Sequence, residues 1–73
     1  MSIVIVHATQ GHGKTSAAAA LARRFGCSNI VDEWDGQADL PRSSLALTNV
    51  PPDRFRAPQG ATVIEFARAL RHL

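Results

Sequence analysis

The stretch Ile3-Val4-Ile5-Val6-His7-Ala8-Thr9-Gln10-Gly11-His12-Gly13-Lys14-Thr15-Ser16-Ala17 decides how the chain folds. Ile3 to Val6 is an uninterrupted run of β-branched residues, the pattern of a strand buried on both faces in a parallel sheet. Lys14 to Phe25 contains neither proline nor glycine, and Ala18, Leu21, Ala22 and Phe25 recur at helical spacing. Gly26 supplies the stop signal, and Arg23 and Arg24 place positive charge at the carbonyl end of the helix dipole. A buried strand therefore leads through a short glycine-bearing connection into a helix that begins at Lys14.

Further along, Asn29 to Glu33 returns to apolar β-formers and predicts a second strand that closes a β-α-β unit. Trp34 to Ser44 is polar, carries Gly36 and Pro41, and reads as a loop. Leu45 to Asn49 predicts a third strand, ended by Val50-Pro51-Pro52. After a loop from Asp53 to Gly60, Thr62 to Phe66 reads as a fourth strand and Ala67 to Leu73 as a helical turn or two. One helix from Gln59 to Leu73 also fits, because Val63, Phe66, Ala67 and Leu70 share a helical face; the β-branched run Thr62-Val63-Ile64 favours the strand. The prediction is a single α/β domain over residues 1–73, in two or three layers, with a mainly parallel sheet of three to four strands.

At 73 residues the chain sits near the lower size limit for a self-sufficient core, where roughly 60% of the unfolded surface becomes buried. With 45% apolar and 19% charged residues it is too apolar to be disordered. Cys27 has no partner cysteine and reads as a half-buried thiol after the helix, which suits a reducing compartment. The amino-terminal residues match neither a signal peptide nor a membrane span, so the expectation is a soluble cytoplasmic protein without membrane partners. The net charge is +2, with arginines scattered from Arg23 to Arg71, and shows no clear nucleic-acid signal. Lys14 is the only lysine. Since arginine serves wherever generic positive charge is wanted, a lone lysine between Gly13 and Thr15 points to chemistry specific to that position.

The segment Ala8-Thr9-Gln10-Gly11-His12-Gly13-Lys14-Thr15 has the composition of a phosphate loop. Gly11 and Gly13 tolerate positive φ and clear the way for consecutive backbone N–H groups, from about Gly11 to Thr15, to turn onto an anion. The helix N-terminus behind them adds unpaired donors and a positive dipole end. Lys14 suits the β- and γ-phosphates, and the Thr15 hydroxyl suits Mg²⁺.

At these residues the chain resembles the P-loop NTPases, whose Walker A motif is Gly or Ala, four residues, then Gly-Lys-Ser or Gly-Lys-Thr. Ala8 takes the less common first residue. The resemblance implies a P-loop-like fold with the loop between the first strand and the first helix. It also implies a nucleotide held by Gly11, His12, Gly13, Lys14, Thr15 and Ser16, with ATP or GTP as ligand and ATP favoured. Mg²⁺ would be bound by Thr15 and Asp32. Ile30-Val31-Asp32-Glu33 looks like a short Walker B motif, in which Asp32 faces the metal's water shell and Glu33 polarises the attacking water. Here Asp32 follows the first helix directly, whereas full-size relatives usually insert a strand and a helix; the pair also reads as solvated strand-end carboxylates.

Leu45 to Asn49 resembles the sensor strand of the ATPases associated with diverse activities, with Asn49 facing the γ-phosphate and Thr48 second; a plain turn residue is the other reading. His7 and His12 do not form a zinc site with any third ligand nearby. Trp34 reads as core rather than as a base-stacking platform. Arg54 and Arg56 are loop arginines, either solvated or acting as arginine fingers across a dimer. Two functions stay open. One is a minimal NTP hydrolase using Lys14, Glu33 and Asn49. The other is a non-catalytic phosphate-ligand or protein-docking module, of the size of accessory proteins from phage or mobile elements. In either case a small open sheet predicts self-association or a protein partner.

Overall fold

A computed structural model describes residues 3–8 and 14–73 of the protein, with the backbone alone for residues 14–16. Its elements are β1 (Val4–His7), α1 (Lys14–Phe25), β2 (Asn29–Val31), β3 (Ser44–Thr48), β4 (Thr62–Glu65) and α2 (Phe66–Leu70). The four strands form one sheet in the order β2-β3-β1-β4, and every pairing is parallel. Val4 to His7 register with Leu45 to Thr48 on one side and with Thr62 to Glu65 on the other.

The double-sided burial expected of the first strand is present: Val4, Ile5 and Val6 are buried, as is all of β3. Alternation sends Val4, Val6, Leu45 and Leu47 to one face, where Ala18, Leu21 and Ala22 of α1 and Phe66 and Ala69 of α2 pack on them. Ile5 and Ala46 face the other way, onto Trp34 and Phe55. Both helices thus cover one face, and the loops after β2 and β3 cover the other. The molecule is a two-layer α/β unit whose second face is closed by irregular chain.

Helix α1 has the predicted bounds and ends at Gly26, where the Cys27 N–H donates to the Ala22 carbonyl at 2.7 Å. The carboxyl terminus is tied back to it: the Arg24 side chain donates to the His72 carbonyl, and the Phe25 and His72 rings lie 5.6 Å apart. The 62–66 segment is a strand from Thr62 to Glu65, with helix from Phe66, so the β-branched run prevails over the helical face. The expected second strand is shorter than read, three residues ending at Val31, because the chain turns at Asp32 and Glu33. Glu33 takes a left-handed φ of 53°, which brings Trp34 back to donate its N–H to the Leu47 carbonyl at 2.8 Å.

The Trp34 loop is closed by its own hydrogen bonds. The Trp34 indole donates to the Ala38 carbonyl, and Asp35 accepts from the Gln37 and Ala38 N–H groups at 2.8 Å each, which holds its carboxyl below the usual carboxylate range. Gly36 sits in this loop at φ 86°, directly under Phe55. A Cβ there would lie 2.7 Å from the Phe55 Cβ, whereas Gly60, at φ 84°, has open space around it. Gly36→Ala is expected to cost on the order of 1–3 kcal/mol from backbone strain and overlap together. Gly60→Ala should cost less, about 1–2 kcal/mol from the left-handed backbone alone. Urea unfolding of both variants checks the ranking; equal losses would mean that Phe55 does not press on Gly36.

Candidate functional site

In a parallel sheet all strand ends of one kind lie together, and here the carboxyl ends of β1, β3 and β4 surround a cleft. Its volume is about 270 Å³, and it is lined by His7, Ala8, Asn49, Val50, Pro51, Pro52, Glu65 and Ala67. The topology explains the cleft. From β1 the chain travels past β3 to β2, while from β3 it travels past β1 to β4. Adjacent strands whose connections leave in opposite directions open a crevice at their carboxyl ends, which is where open α/β sheets bind ligands.

The Ala8 N–H donates to the Thr48 carbonyl at 3.1 Å, so β1 and β3 stay paired one residue beyond the strand before the chain enters the 9–13 segment. Thr48 is fully buried and holds the rim together. Its hydroxyl donates to the Trp34 carbonyl at 2.7 Å and accepts from the Val50 N–H at 3.0 Å. This locks the loop after β2 to the loop after β3. His7 leans on Phe55 with ring centroids 6.3 Å apart, and Phe55 packs on Trp34 at 5.4 Å. His7 and Glu65 are register partners on adjacent strands and project from the same sheet face.

The residues singled out from sequence fall into three groups. Gly11, His12 and Gly13 lie outside the described residues, as do the side chains of Lys14, Thr15 and Ser16; the backbone of these last three forms the first turn of α1. Asn49 is at the cleft, exposed, immediately after β3. Asp32 and Glu33 follow β2, which is an edge strand with β3 between it and β1. At about 4.8 Å per strand spacing, they leave the sheet roughly 10 Å to the side of β1. Asp32 accepts the Glu33 N–H at 2.9 Å, a local turn bond.

Trp34 is 4% exposed and belongs to the core, as its composition suggested. Arg54 and Arg56 are exposed loop residues. Among the described residues no group of three or more His, Cys, Asp or Glu side chains could hold a metal ion. No described helix is long and apolar enough to cross a membrane. Glu65 was missed in the sequence: it carries no local motif, and only the pairing of β4 with β1 brings it beside His7.

The fold and cleft define a small, all-parallel α/β protein with a crevice at the switch point of its sheet. No family model matches the chain, and neither a characterised protein nor a solved structure matches it. The likeness to P-loop NTPases rests on the amino-acid sequence alone, on the Ala8 to Thr15 string first, then on Ile30 to Glu33 and Leu45 to Asn49.

Two outcomes test this geometry. Thr48→Val keeps the side-chain shape but leaves the Trp34 carbonyl and the Val50 N–H without their partner, which should cost about 1–3 kcal/mol in urea unfolding; a loss under about 0.5 kcal/mol would show that the two loops are held by packing instead. Cys27 is half-buried, and burial pushes its thiol above the ordinary range. The thiolate fraction at any given pH is therefore smaller than in an unfolded chain. Iodoacetamide should alkylate native Cys27 more slowly than the urea-unfolded chain at pH 8, and the rate should rise only at higher pH.

Proposed function

We propose that the protein binds a nucleoside triphosphate with Mg²⁺ through Ala8-Thr9-Gln10-Gly11-His12-Gly13-Lys14-Thr15. One observation carries the reading: this string leaves the interior strand β1 at the crevice of the sheet, and the chain resumes as a twelve-residue helix at Lys14. A phosphate loop requires that strand-to-helix context. The lysine supplies positive charge to the phosphates, and the first turn of α1 adds unpaired N–H donors and the positive end of its dipole.

Mg²⁺ commonly takes only one or two protein ligands beside phosphate oxygens and water. The Thr15 hydroxyl provides one such ligand in this reading, with Asp32 facing the water shell. The ion, when bound, offsets the charge of the triphosphate. ATP is the favoured ligand and GTP the other candidate. Hydrolysis is a separate step that needs a group to orient water at the terminal phosphate. Asn49 stands at the cleft, whereas Glu33 leaves from the edge strand.

That position of Glu33 favours a second reading, in which the loop holds a phosphate ligand without turnover and the protein acts by docking. Ile30, Val63, Leu70 and Leu73 are large apolar side chains exposed on its surface, in keeping with a protein partner or a second copy.

Thermal unfolding of the wild type and of Lys14→Ala, with Mg²⁺ and ATP or GTP at millimolar concentration, tests the binding reading. At a hundredfold excess over Kd, a ligand that binds only the folded state adds about 2.7 kcal/mol, so the wild-type midpoint should rise by several degrees and that of Lys14→Ala should not. No rise with either nucleotide overturns the reading. Phosphate release then separates the two functions: slow turnover lost in Glu33→Gln marks the hydrolase, and stabilisation without release marks the docking module.

A further inference from the structure

We infer that the cleft between the carboxyl ends of β1, β3 and β4 seats the base of the nucleotide, and that Glu65 and His7 read it. The inference rests on the phosphate-loop reading for its ligand, but its own support is separate. Beside His7, Glu65 and the polar Asn49, the described walls are Ala8, Val50, Pro51, Pro52 and Ala67, apolar surface suited to the faces of a planar heterocycle. Pro51 and Pro52 are stiff, so their wall needs little ordering on binding. A volume of about 270 Å³ lies just under the roughly 300–1,000 Å³ usual for small-molecule sites, room for a base or nucleoside and too little for a whole triphosphate.

The charge points the same way. Among the described residues no lysine or arginine lines the cleft, and Glu65 is its one carboxylate. The carboxylate disfavours a phosphate beside it and draws in an uncharged group rich in N–H donors. Glu65 and His7 also have hydrogen-bonding capacity to spare. Glu65 occupies the N-cap position of α2 but makes no capping bond, and neither side chain has a hydrogen bond or ion pair among the described residues. His7 is nonetheless held in place, its ring against Phe55.

Placed side by side by the β1·β4 register, the carboxylate accepts from an exocyclic amino group while the imidazole meets a neighbouring ring nitrogen. Adenine, guanine and cytosine carry such an amino group. Uracil does not: its edge N–H is flanked by two carbonyl oxygens, which a carboxylate would repel.

Calorimetric titration of the full chain with Mg²⁺ and ATP, GTP, CTP, UTP or inorganic tripolyphosphate tests the inference, using the wild type, Glu65→Ala and Glu65→Gln. At least one of ATP, GTP and CTP should bind on the order of tenfold more tightly than tripolyphosphate, as expected for a hydrogen bond to a charged group, and UTP should show no such advantage. Glu65→Ala should erase that advantage and leave tripolyphosphate binding unchanged, and Glu65→Gln, which keeps the shape, should reduce it. The inference is overturned if no nucleotide outbinds tripolyphosphate, if UTP binds as tightly as the best of the others, or if Glu65→Ala weakens tripolyphosphate equally. Should tripolyphosphate fail to bind at all, the phosphate reading falls. The cleft is then probed with adenosine, guanosine and cytidine: binding lost in Glu65→Ala upholds the base site, and no binding overturns it.

Discussion

The parallel pairing of β1 with β3 is the constraint on which the rest of the structure depends. A parallel pair cannot be joined by a tight turn, so each strand must be followed by a crossover long enough to return to the starting edge. It also buries both faces, so those crossovers have to carry apolar cover. Ile5 and Val6 and their partners Ala46 and Leu47 are wholly buried, and a chain of 73 residues has little to cover them with. One face receives α1 and α2; the other receives two loops anchored by Trp34 and Phe55. Economy of this kind makes single side chains matter. Thr48 bonds both loops at once, and Gly36 exists as glycine because Phe55 lies against it.

The same pairing creates the cleft. Because the connections after β1 and β3 depart in opposite directions, a crevice opens at their carboxyl ends, and among the described residues the β3 loop and the end of β4 form its walls. The phosphate-loop string begins at one corner of this space, at Ala8. A binding reading and a base-site reading thus draw on one feature of the sheet, although different residues carry them: Lys14 and Thr15 for the phosphates, Glu65 and His7 for the base. The base-site reading does not involve the Asp32-Glu33 pair, and the binding reading uses Asp32 only through the water shell of Mg²⁺; β3 lies between their strand and β1.

Much of the architecture was legible in the amino-acid order because it depends on local rules. An unbroken β-branched run at Ile3 to Val6, alanines and helical spacing from Lys14 to Phe25, and prolines after Val50 announce strand, helix and stop without knowledge of neighbours. The bounds of α1 agree with that reading, and β1, β3 and β4 are displaced by a residue at most. Trp34 was read as core and Cys27 as a half-buried thiol, and both are so. The second strand was read too long, since Asp32 and Glu33 continue a plausible strand in sequence while the left-handed Glu33 turns the chain toward β3.

By itself, then, the sequence determined three to four strands, with the last left open between strand and helix, a mainly parallel α/β class and a string resembling a phosphate loop between a strand and a helix, all properties of residues near one another in the chain. Only the tertiary structure decided that β3 and not β2 lies beside β1, that both helices share a face, and that Glu65 stands next to His7 at a cleft. Strand order is set by which faces find apolar cover over long sequence separations, and no local pattern in 73 residues encodes it.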